Sequence, residues 1–284
     1  MTLLQRMFGV TKPLIAMCHL RGLPGRPRHD AEAGMAGIYA ALRHDVLALQ
    51  EAGVDGLLFC NEHDLPYSVG VGVEVAAAEA AVIGRLTDEL TVPFGVDLLW
   101  DPMSALAVAR ATGAAFVREV FTGVFESDMG LLAPDFGQLA GYRHAIGGDN
   151  IAIFTNITPE FSRSISGRSV TERARGAAFV GADALLISGP QAGTQVDLSE
   201  LQAAKEAAGE TPVLANTGVT HDNAQQILAI ADGLIVGTSL KVGGSTWNPV
   251  DPDRARRLAE TVRRVRVAPD GHPHGSGTLG SVTS

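Results

Sequence analysis

The chain alternates short apolar runs with longer amphipathic stretches. Eight runs of six or seven residues are apolar on both faces, at 13–19, 55–60, 92–98, 114–120, 150–156, 183–188, 211–216 and 232–237. Such short runs are typical of strands buried inside a parallel sheet. The stretches between and after them have helical spacing of Ala, Leu and Val, at 32–53, 73–90, 102–112, 135–146, 169–181, 198–208, 221–230 and 252–266. The pattern predicts eight strand–helix units.

Glycine and aspartate mark the boundaries of several predicted helices. Gly53, Gly113 and Gly181 each stand between a helical stretch and the next apolar run, as a glycine that ends a helix does. Asp101 and Asp251 are each followed by proline, which is typical of a residue capping the start of a helix. These signals support the division into units.

Eight strand–helix units predict a single (β/α)8 barrel, a TIM barrel, over residues 1–266. The competing architecture is a doubly wound open sheet. Even spacing of the units, with no half of the chain left over, favours the barrel. Residues 267–284 are rich in Gly, Ser, Pro, His and Thr without apolar periodicity, which predicts a disordered C-terminal tail.

Composition narrows the class of protein. Of the 284 residues 46% are hydrophobic and 5% aromatic, which excludes a fibrous or disordered chain and predicts an aliphatic core. The net charge is −9, and the basic stretch at 254–266 fits a solvated helix face, so no nucleic-acid partner is expected. Cys18 and Cys60, both in apolar runs, indicate a reducing compartment. No apolar run approaches ~18 residues. We expect a cytoplasmic protein without an integral membrane segment.

In a TIM barrel the site lies at the carboxyl ends of the strands, and every predicted strand here ends in polar residues. Acid/base or charge roles are predicted for His19, Glu62, Asp97, Arg118 and Glu119, with His63 as a further proton-transfer candidate. Substrate-binding roles are predicted for Asn61, Asn156, Ser188, Gly189, Asn216, Thr217, Gly218, Gly237, Thr238 and Ser239. Which of these side chains face the barrel mouth depends on strand register.

Two segments near the C-terminus predict a phosphate site. Segment 214–219 (LANTGV) and segment 232–241 (DGLIVGTSLK) each end a strand in a Gly/Thr turn. Many barrels hold a phosphate between the loops that follow strands 7 and 8, where backbone N–H groups supply the donors. Glycine lets the backbone approach the anion, and Thr and Ser add hydroxyl donors.

Lysine and metal chemistry receive less support. Of the three lysines, Lys12 precedes the first strand and Lys205 lies on a predicted helix, so only Lys241 is near the predicted mouth. This distribution argues against a lysine–imine enzyme. Cys18, His19, Cys60 and His63 lack the tight spacing of a zinc site, and neighbours in one strand face opposite ways. The sequence predicts no definite cofactor, and a Mg²⁺ or Mn²⁺ site on Glu62, Asp97 and Glu119 is left open.

Several motifs resemble the BtpA family, a group of phosphate-barrel-like proteins. They are 17–25 (MCHLRGLPG), 53–67 (GVDGLLFCNEHDLPY), 184–189 (ALLISG) and 232–241, and the common spacing covers about 13–265. The segments 98–101, 117–120 and 156–160 depart from the family pattern, which indicates a divergent subgroup. The resemblance implies a barrel fold and a phosphate site more than a particular reaction.

These expectations combine into one functional hypothesis. The chain is expected to be an isomerase, epimerase or lyase that acts on a phosphorylated sugar or related small anion. The alternatives are a hydrolase of a phosphorylated glycoside or nucleoside, in which paired carboxylates serve as acid and base, and a non-catalytic assembly or stability factor, as proposed for photosystem I biogenesis. The Ala-rich helix 73–90 fits a homo-oligomer interface or packing on its own barrel equally well.

Overall fold

The computed structural model describes residues 1–267, so the tail predicted beyond Val267 lies outside the described residues. All eight predicted strands form, and they close into one parallel barrel, which confirms the (β/α)8 prediction over the open sheet. The barrel strands are β1 (Leu14–His19), β2 (Gly56–Cys60), β3 (Phe94–Asp97), β4 (Phe116–Glu119), β7 (Ala152–Asn156), β9 (Ala184–Ile187), β10 (Val213–Ala215) and β11 (Gly233–Val236). Each barrel strand pairs with the barrel strands that precede and follow it in the chain, and β11 closes the ring against β1.

The helices that follow the barrel strands pack around the outside of the barrel, and one further helix precedes the first strand. In chain order the helices are α1 (Leu3–Phe8), α2 (Gly34–Ala52), α3 (Val73–Gly84), α4 (Pro102–Thr112), α5 (Phe136–Ala145), α6 (Val170–Phe179), α7 (Leu198–Ala207), α8 (Ala224–Leu228) and α9 (Pro252–Val267). No helix within residues 1–267 is both long enough and apolar enough to cross a membrane.

The helix boundaries agree with the capping signals at most positions. Gly53 and Gly113 end α2 and α4 in the left-handed conformation, and Asp101 caps α4 by accepting a hydrogen bond from the Ser104 N–H. Gly181 is left-handed as well, with φ +97°, and it follows the capping residue Val180 at the end of α6. The predicted helices 73–90 and 221–230 were too long: α3 stops at Gly84, and α8 is a short segment.

Two features were missed by the sequence analysis. Helix α1 closes the amino-terminal end of the barrel with Leu4 and Phe8, which pack on the interior residues. A small antiparallel sheet, formed by β5 (Phe125–Ser127), β6 (Gly130–Leu132) and β8 (Ser162–Ser164), stands beside the opposite end. Its strands have three residues each, too few for an alternating pattern to emerge.

Strand alternation divides the core into two layers. Ile15 and Met17 of β1 point into the barrel, whereas Leu14, Ala16 and Cys18 pack against the helices. His19 therefore continues the inward row while Cys18 faces outward, as expected for successive residues of a strand. The same alternation aims inward-facing residues at the ends of the other strands toward the barrel mouth.

We expect Gly95→Ala to lower the free energy of unfolding by about 1–3 kcal/mol, because overpacking distorts a filled core. A Cβ at Gly95 would overlap the ring of Phe116, which stacks on Phe154 at a centroid distance of 4.7 Å. Urea denaturation measures the loss. Gly84→Ala is the matched control, since a Cβ there meets nothing within 4 Å. Equal stability of both variants would contradict the prediction.

Candidate functional site

A cavity of about 250 Å³ opens at the carboxyl ends of the barrel strands. Nine of the sixteen residues given acid/base or binding roles from the sequence line it: His19, Glu62, Arg118, Asn216, Thr217, Gly218, Gly237, Thr238 and Ser239. They come from the first, second, fourth, seventh and eighth barrel units. The closed barrel brings these distant segments to one mouth.

Arg118 is the centre of the charged end of the cavity. It extends from β4, and its Nη1 lies 2.5 Å from Asp97 Oδ2, at the end of β3. Its Nη2 donates to Glu160 Oε1 at 3.0 Å. Asp97 is fully buried, and this burial raises the pKa of its carboxyl although the guanidinium opposes the rise. One arginine thus joins two carboxyl groups in a water-poor environment, where their interactions are stronger than in water.

Two asparagine amides hold Glu160 in place, and Ser188 links them to each other. Asn156 Nδ2 donates to Glu160 Oε2 at 2.9 Å and to Ser188 Oγ at 2.9 Å. Asn216 Nδ2 lies 2.8 Å from the same Ser188 Oγ and 3.2 Å from Glu160 Oε1. This network ties together the ends of β7, β9 and β10. Glu160 lines the cavity, although the sequence analysis assigned it no role.

Glu62 and His19 face the same cavity, and in the part of the chain that the structure describes each side chain makes only one long hydrogen-bond contact. Burial raises the pKa of Glu62 to about 7, against the opposing charge of Arg118. Its Oε2 lies 3.7 Å from the Cys60 thiol, a weak donor. Burial lowers the pKa of His19 well below its ordinary value, so the imidazole is neutral near pH 7. Its Nδ1 is 3.4 Å from the Thr246 carbonyl oxygen.

The other end of the cavity is formed by backbone turns and hydroxyl groups, here called the cradle: Gly193, Gly218, Gly237, Thr238, Ser239, Gly244, Thr246 and Arg254. Gly218 has φ +64°, and a Cβ there would overlap the backbone of Gln195, so this close approach of two loops requires glycine. Thr238 Oγ1 lies 2.8 Å from Thr246 Oγ1, and Arg254 Nη1 donates to the Ser239 carbonyl at 3.3 Å. The cradle thus combines the paired Thr238 and Thr246 hydroxyls with one guanidinium, while the Ser239 hydroxyl already donates to the Val219 carbonyl at 2.6 Å.

Seven residues given roles from the sequence do not line the cavity: Asn61, His63, Asp97, Glu119, Asn156, Ser188 and Gly189. Glu119 accepts hydrogen bonds from the backbone N–H groups of Trp100 and Val120, because it follows the inward-facing Arg118 and turns the other way. Asn61 accepts from the Leu99 N–H at 2.9 Å. Gly189 donates its N–H to Thr217 Oγ1.

Several lining residues were absent from the sequence-based selection. Tyr67, Trp100 and Phe161 form aromatic walls. Trp100 and Phe161 have φ of +65° and +57°, a conformation that side chains other than glycine rarely adopt and that clusters at functional sites. Arg254 was included in a solvated helix face. Its position in the first turn of α9 could have indicated a place at the cavity, because the helices of a (β/α)8 barrel begin at the end where the strands terminate.

The lysine and the carboxylates considered for imine or metal chemistry have other partners or positions in the structure. Lys241 does not line the cavity, and its ammonium lies 2.9 Å from the Asp45 carboxylate in the interior. In residues 1–267, no three His, Cys, Asp or Glu side chains group as metal ligands. Of the three carboxylates considered for Mg²⁺ or Mn²⁺, Asp97 is bound to Arg118 and Glu119 to backbone amides, whereas Glu62 faces the cavity.

Alignments with two known proteins cover at least 89% of each chain. It is 41% identical over 267 residues to "Putative sgc region protein SgcQ" of Escherichia coli strain K12, covering 94% of this chain and 100% of that protein. It is 31% identical to "Photosystem I biogenesis protein BtpA" of Synechocystis, covering 90% and 89%.

A solved structure shares the fold alone. The N-acetylmannosamine-6-phosphate 2-epimerase of Clostridium perfringens superposes with a TM-score of 0.53 at 14% identity, covering 81% of this chain and 88% of that chain. The family model described as "BtpA family" matches residues 10–264, which include every strand of the barrel. This match and the two relatives show that the chain belongs to the BtpA family.

Proposed function

We propose that this protein is an enzyme that acts on a phosphorylated sugar or a similar small anion by acid/base chemistry, as an isomerase, epimerase or lyase. The observation that carries the proposal is the cavity itself, which joins a glycine- and hydroxyl-rich cradle to a buried cluster of carboxyl groups around Arg118. A phosphosugar has two parts that match the two ends of the cavity: a phosphate for the cradle, and a carbon skeleton whose protons the carboxyl groups can transfer.

The cradle is suited to a phosphate group. Thr238 and Thr246 present paired hydroxyls, the turns at Gly218 and Gly237 line the cavity with backbone, and Arg254 supplies positive charge. Phosphate groups in barrels are held in this way by the loops after the last two strands. The epimerase that shares the fold is named for a phosphorylated sugar, which agrees with this assignment.

The carboxyl cluster is suited to proton transfer. Because the pKa of Glu62 is raised to about 7, this residue can both take and release a proton near neutral pH. Arg118 would stabilise negative charge that develops on a substrate carbonyl oxygen, as a preorganised donor does. Neutral His19 would donate to or accept from a substrate hydroxyl. Glu160, Asn156 and Asn216 would keep Arg118 and the substrate in position.

Two alternatives give different results in a product assay. A hydrolase would use the same carboxyl groups to release a free sugar phosphate from a glycoside or nucleoside, so a new reducing end would form. An assembly factor, the role suggested by the name of the Synechocystis relative, would show no turnover of any small molecule. Product analysis by NMR after incubation with a panel of phosphorylated sugars and nucleosides separates the three.

Thr238→Ala is expected to weaken phosphate binding, because it removes a cradle hydroxyl. A ligand at one hundred times its Kd stabilises the fold by about 2.7 kcal/mol, and each kcal/mol raises the Tm of a chain this size by about 2–4 °C. Thermal shift with inorganic phosphate and pentose or hexose phosphates measures the rise and its loss in the variant. Thr261→Ala, a hydroxyl deletion on α9 outside the cavity, is the control. No rise with any phosphate would contradict the proposed function.

A further inference from the structure

Two arginines beside the cavity have no acidic partner within residues 1–267. Arg21 and Arg28 are both exposed, and they lie on the loop after β1. Arg26, between them in the chain, also lacks an acidic partner among those residues, but its guanidinium is held by the protein, because its Nη2 donates to the Asp64 backbone carbonyl at 3.0 Å. In a chain with a net charge of −9, two unneutralised guanidinium groups at one place call for an explanation.

An aromatic side chain orients one of these arginines. The guanidinium carbon of Arg28 lies 5.1 Å from the centre of the Trp247 ring, a cation–π contact. The ring of His63 packs edge-on against the same tryptophan at 5.4 Å. Burial, and after it positive neighbours that include Arg21 and Arg28, lower the pKa of His63 to about 4, so this imidazole is neutral. We call Arg21, Arg28, His63 and Trp247 the rim cluster.

The rim cluster begins next to the cradle. Thr246 lies 2.8 Å from Thr238 through its hydroxyl, and Trp247 is the following residue. One residue step spans about 3.8 Å between Cα atoms. His63 likewise follows Glu62, which lines the charged end of the cavity. The rim cluster is thus continuous with both ends of the cavity, at its outer edge.

We infer that the site takes a doubly anionic ligand, with one phosphate on the cradle and a second anionic group, phosphate or carboxylate, on Arg21 and Arg28. The inference rests on the proposed function, because the first phosphate occupies the cradle named there. Arginine suits this task, since its planar fork binds phosphate or carboxylate through two parallel hydrogen bonds. Trp247 holds one such fork in place without neutralising it.

The test compares ligands that differ by one anionic group, using isothermal titration calorimetry. Fructose 6-phosphate against fructose 1,6-bisphosphate tests a second phosphate, and glucitol 6-phosphate against 6-phosphogluconate, both open-chain, tests a carboxylate. We expect at least one doubly anionic ligand to bind roughly tenfold more tightly than its singly anionic partner, as an added charge-assisted contact implies. The advantage should shrink with added salt, because the arginines are exposed.

Variants assign the advantage to the rim cluster. Arg21→Ala/Arg28→Ala should bind the paired ligands equally while keeping the affinity for fructose 6-phosphate. Arg175→Ala, which removes an exposed arginine charge from α6, should keep the advantage. Thr238→Ala should weaken all four ligands.

The outcomes separate the two proposals. Equal binding of both pairs by the unmodified protein would overturn the doubly anionic ligand and leave the phosphosugar proposal standing. An advantage that survives in the double arginine variant would also overturn the rim cluster's role. Binding that depends on the arginines but not on Thr238 would overturn the cradle as the first phosphate position, and with it both proposals. No binding of any of the four ligands would overturn both as well.

Discussion

Replacing Glu62 with glutamine is expected to lower kcat by about 10²–10⁴-fold, the usual contribution of a positioned general acid or base. The amide keeps the size of the side chain but cannot exchange a proton. The assay is exchange of a substrate C–H proton for deuterium in D₂O, followed by ¹H NMR. Its substrate is whichever phosphosugar gives a thermal shift. Binding of that phosphosugar should change little, because the cradle lies at the other end of the cavity.

The raised pKa of Glu62 also predicts the direction in which the rate changes with pH. With a pKa of about 7, the Glu62 carboxylate increases in population as the pH rises from 6 to 8. If it acts as the base that removes the proton, kcat/KM should rise through this range and reach a plateau above it. The residual activity of Glu62→Gln should lack that inflection.

A remote carboxylate provides the control for Glu62. Glu51→Gln changes an exposed side chain of α2 and should leave both rate and pH profile unchanged. Full activity of Glu62→Gln would rule Glu62 out as the proton-transfer group. Loss of the phosphosugar thermal shift together with activity would assign Glu62 to binding instead.

The second large effect concerns the buried pair of Lys241 and Asp45. Lys241 is 1% exposed and Asp45 6%, and Asp45 Oδ1 also accepts the Val250 N–H at 2.9 Å. Lys241→Met leaves the Asp45 carboxylate buried without its cation, which costs about 3–5 kcal/mol. Natural domains are stable by about 5–15 kcal/mol, so this loss removes a large share of the total. Urea denaturation measures it.

Two further variants make the interpretation specific. Lys241→Met/Asp45→Asn removes both charges while keeping an oxygen for the Val250 N–H, so it should regain part of the lost stability. Lys205→Met breaks a pair with Asp232 whose side chains are 34% and 30% exposed, and it should cost no more than about 1 kcal/mol. A Lys241→Met loss as small as the Lys205→Met loss would contradict the prediction.

The buried pair also bears on the site. Lys241 follows the turn Thr238–Leu240, whose first two residues belong to the cradle, and Asp45 lies on α2. The pair therefore anchors the last loop of the barrel to the helix of the first unit. We expect the unfolding loss in Lys241→Met to be accompanied by weaker phosphate binding. The only lysine that the sequence placed near the mouth thus has a structural position rather than an exposed reactive amine.

The sequence alone was sufficient for the barrel. Eight apolar runs separated by amphipathic stretches admit few architectures, and the strand–helix alternation is local information that each unit carries by itself. The predicted phosphate segments also came together in one cavity, because the fold class places the loops after neighbouring strands side by side. The family motifs and the later comparison agree on the same fold.

Strand register and long-range pairing required the tertiary structure. Arg118 and Glu119 are neighbours in sequence and looked equally suited to the site, yet only Arg118 faces the cavity, since successive strand residues point to opposite sides. Glu160 bonds to residues of other units, and Lys241 pairs with Asp45 of the first unit. The burial that raises the pKa of Glu62 likewise arises only when separate units pack together. Local periodicity therefore determined the barrel, whereas closure of the barrel decided which polar residues meet and how their charges are tuned.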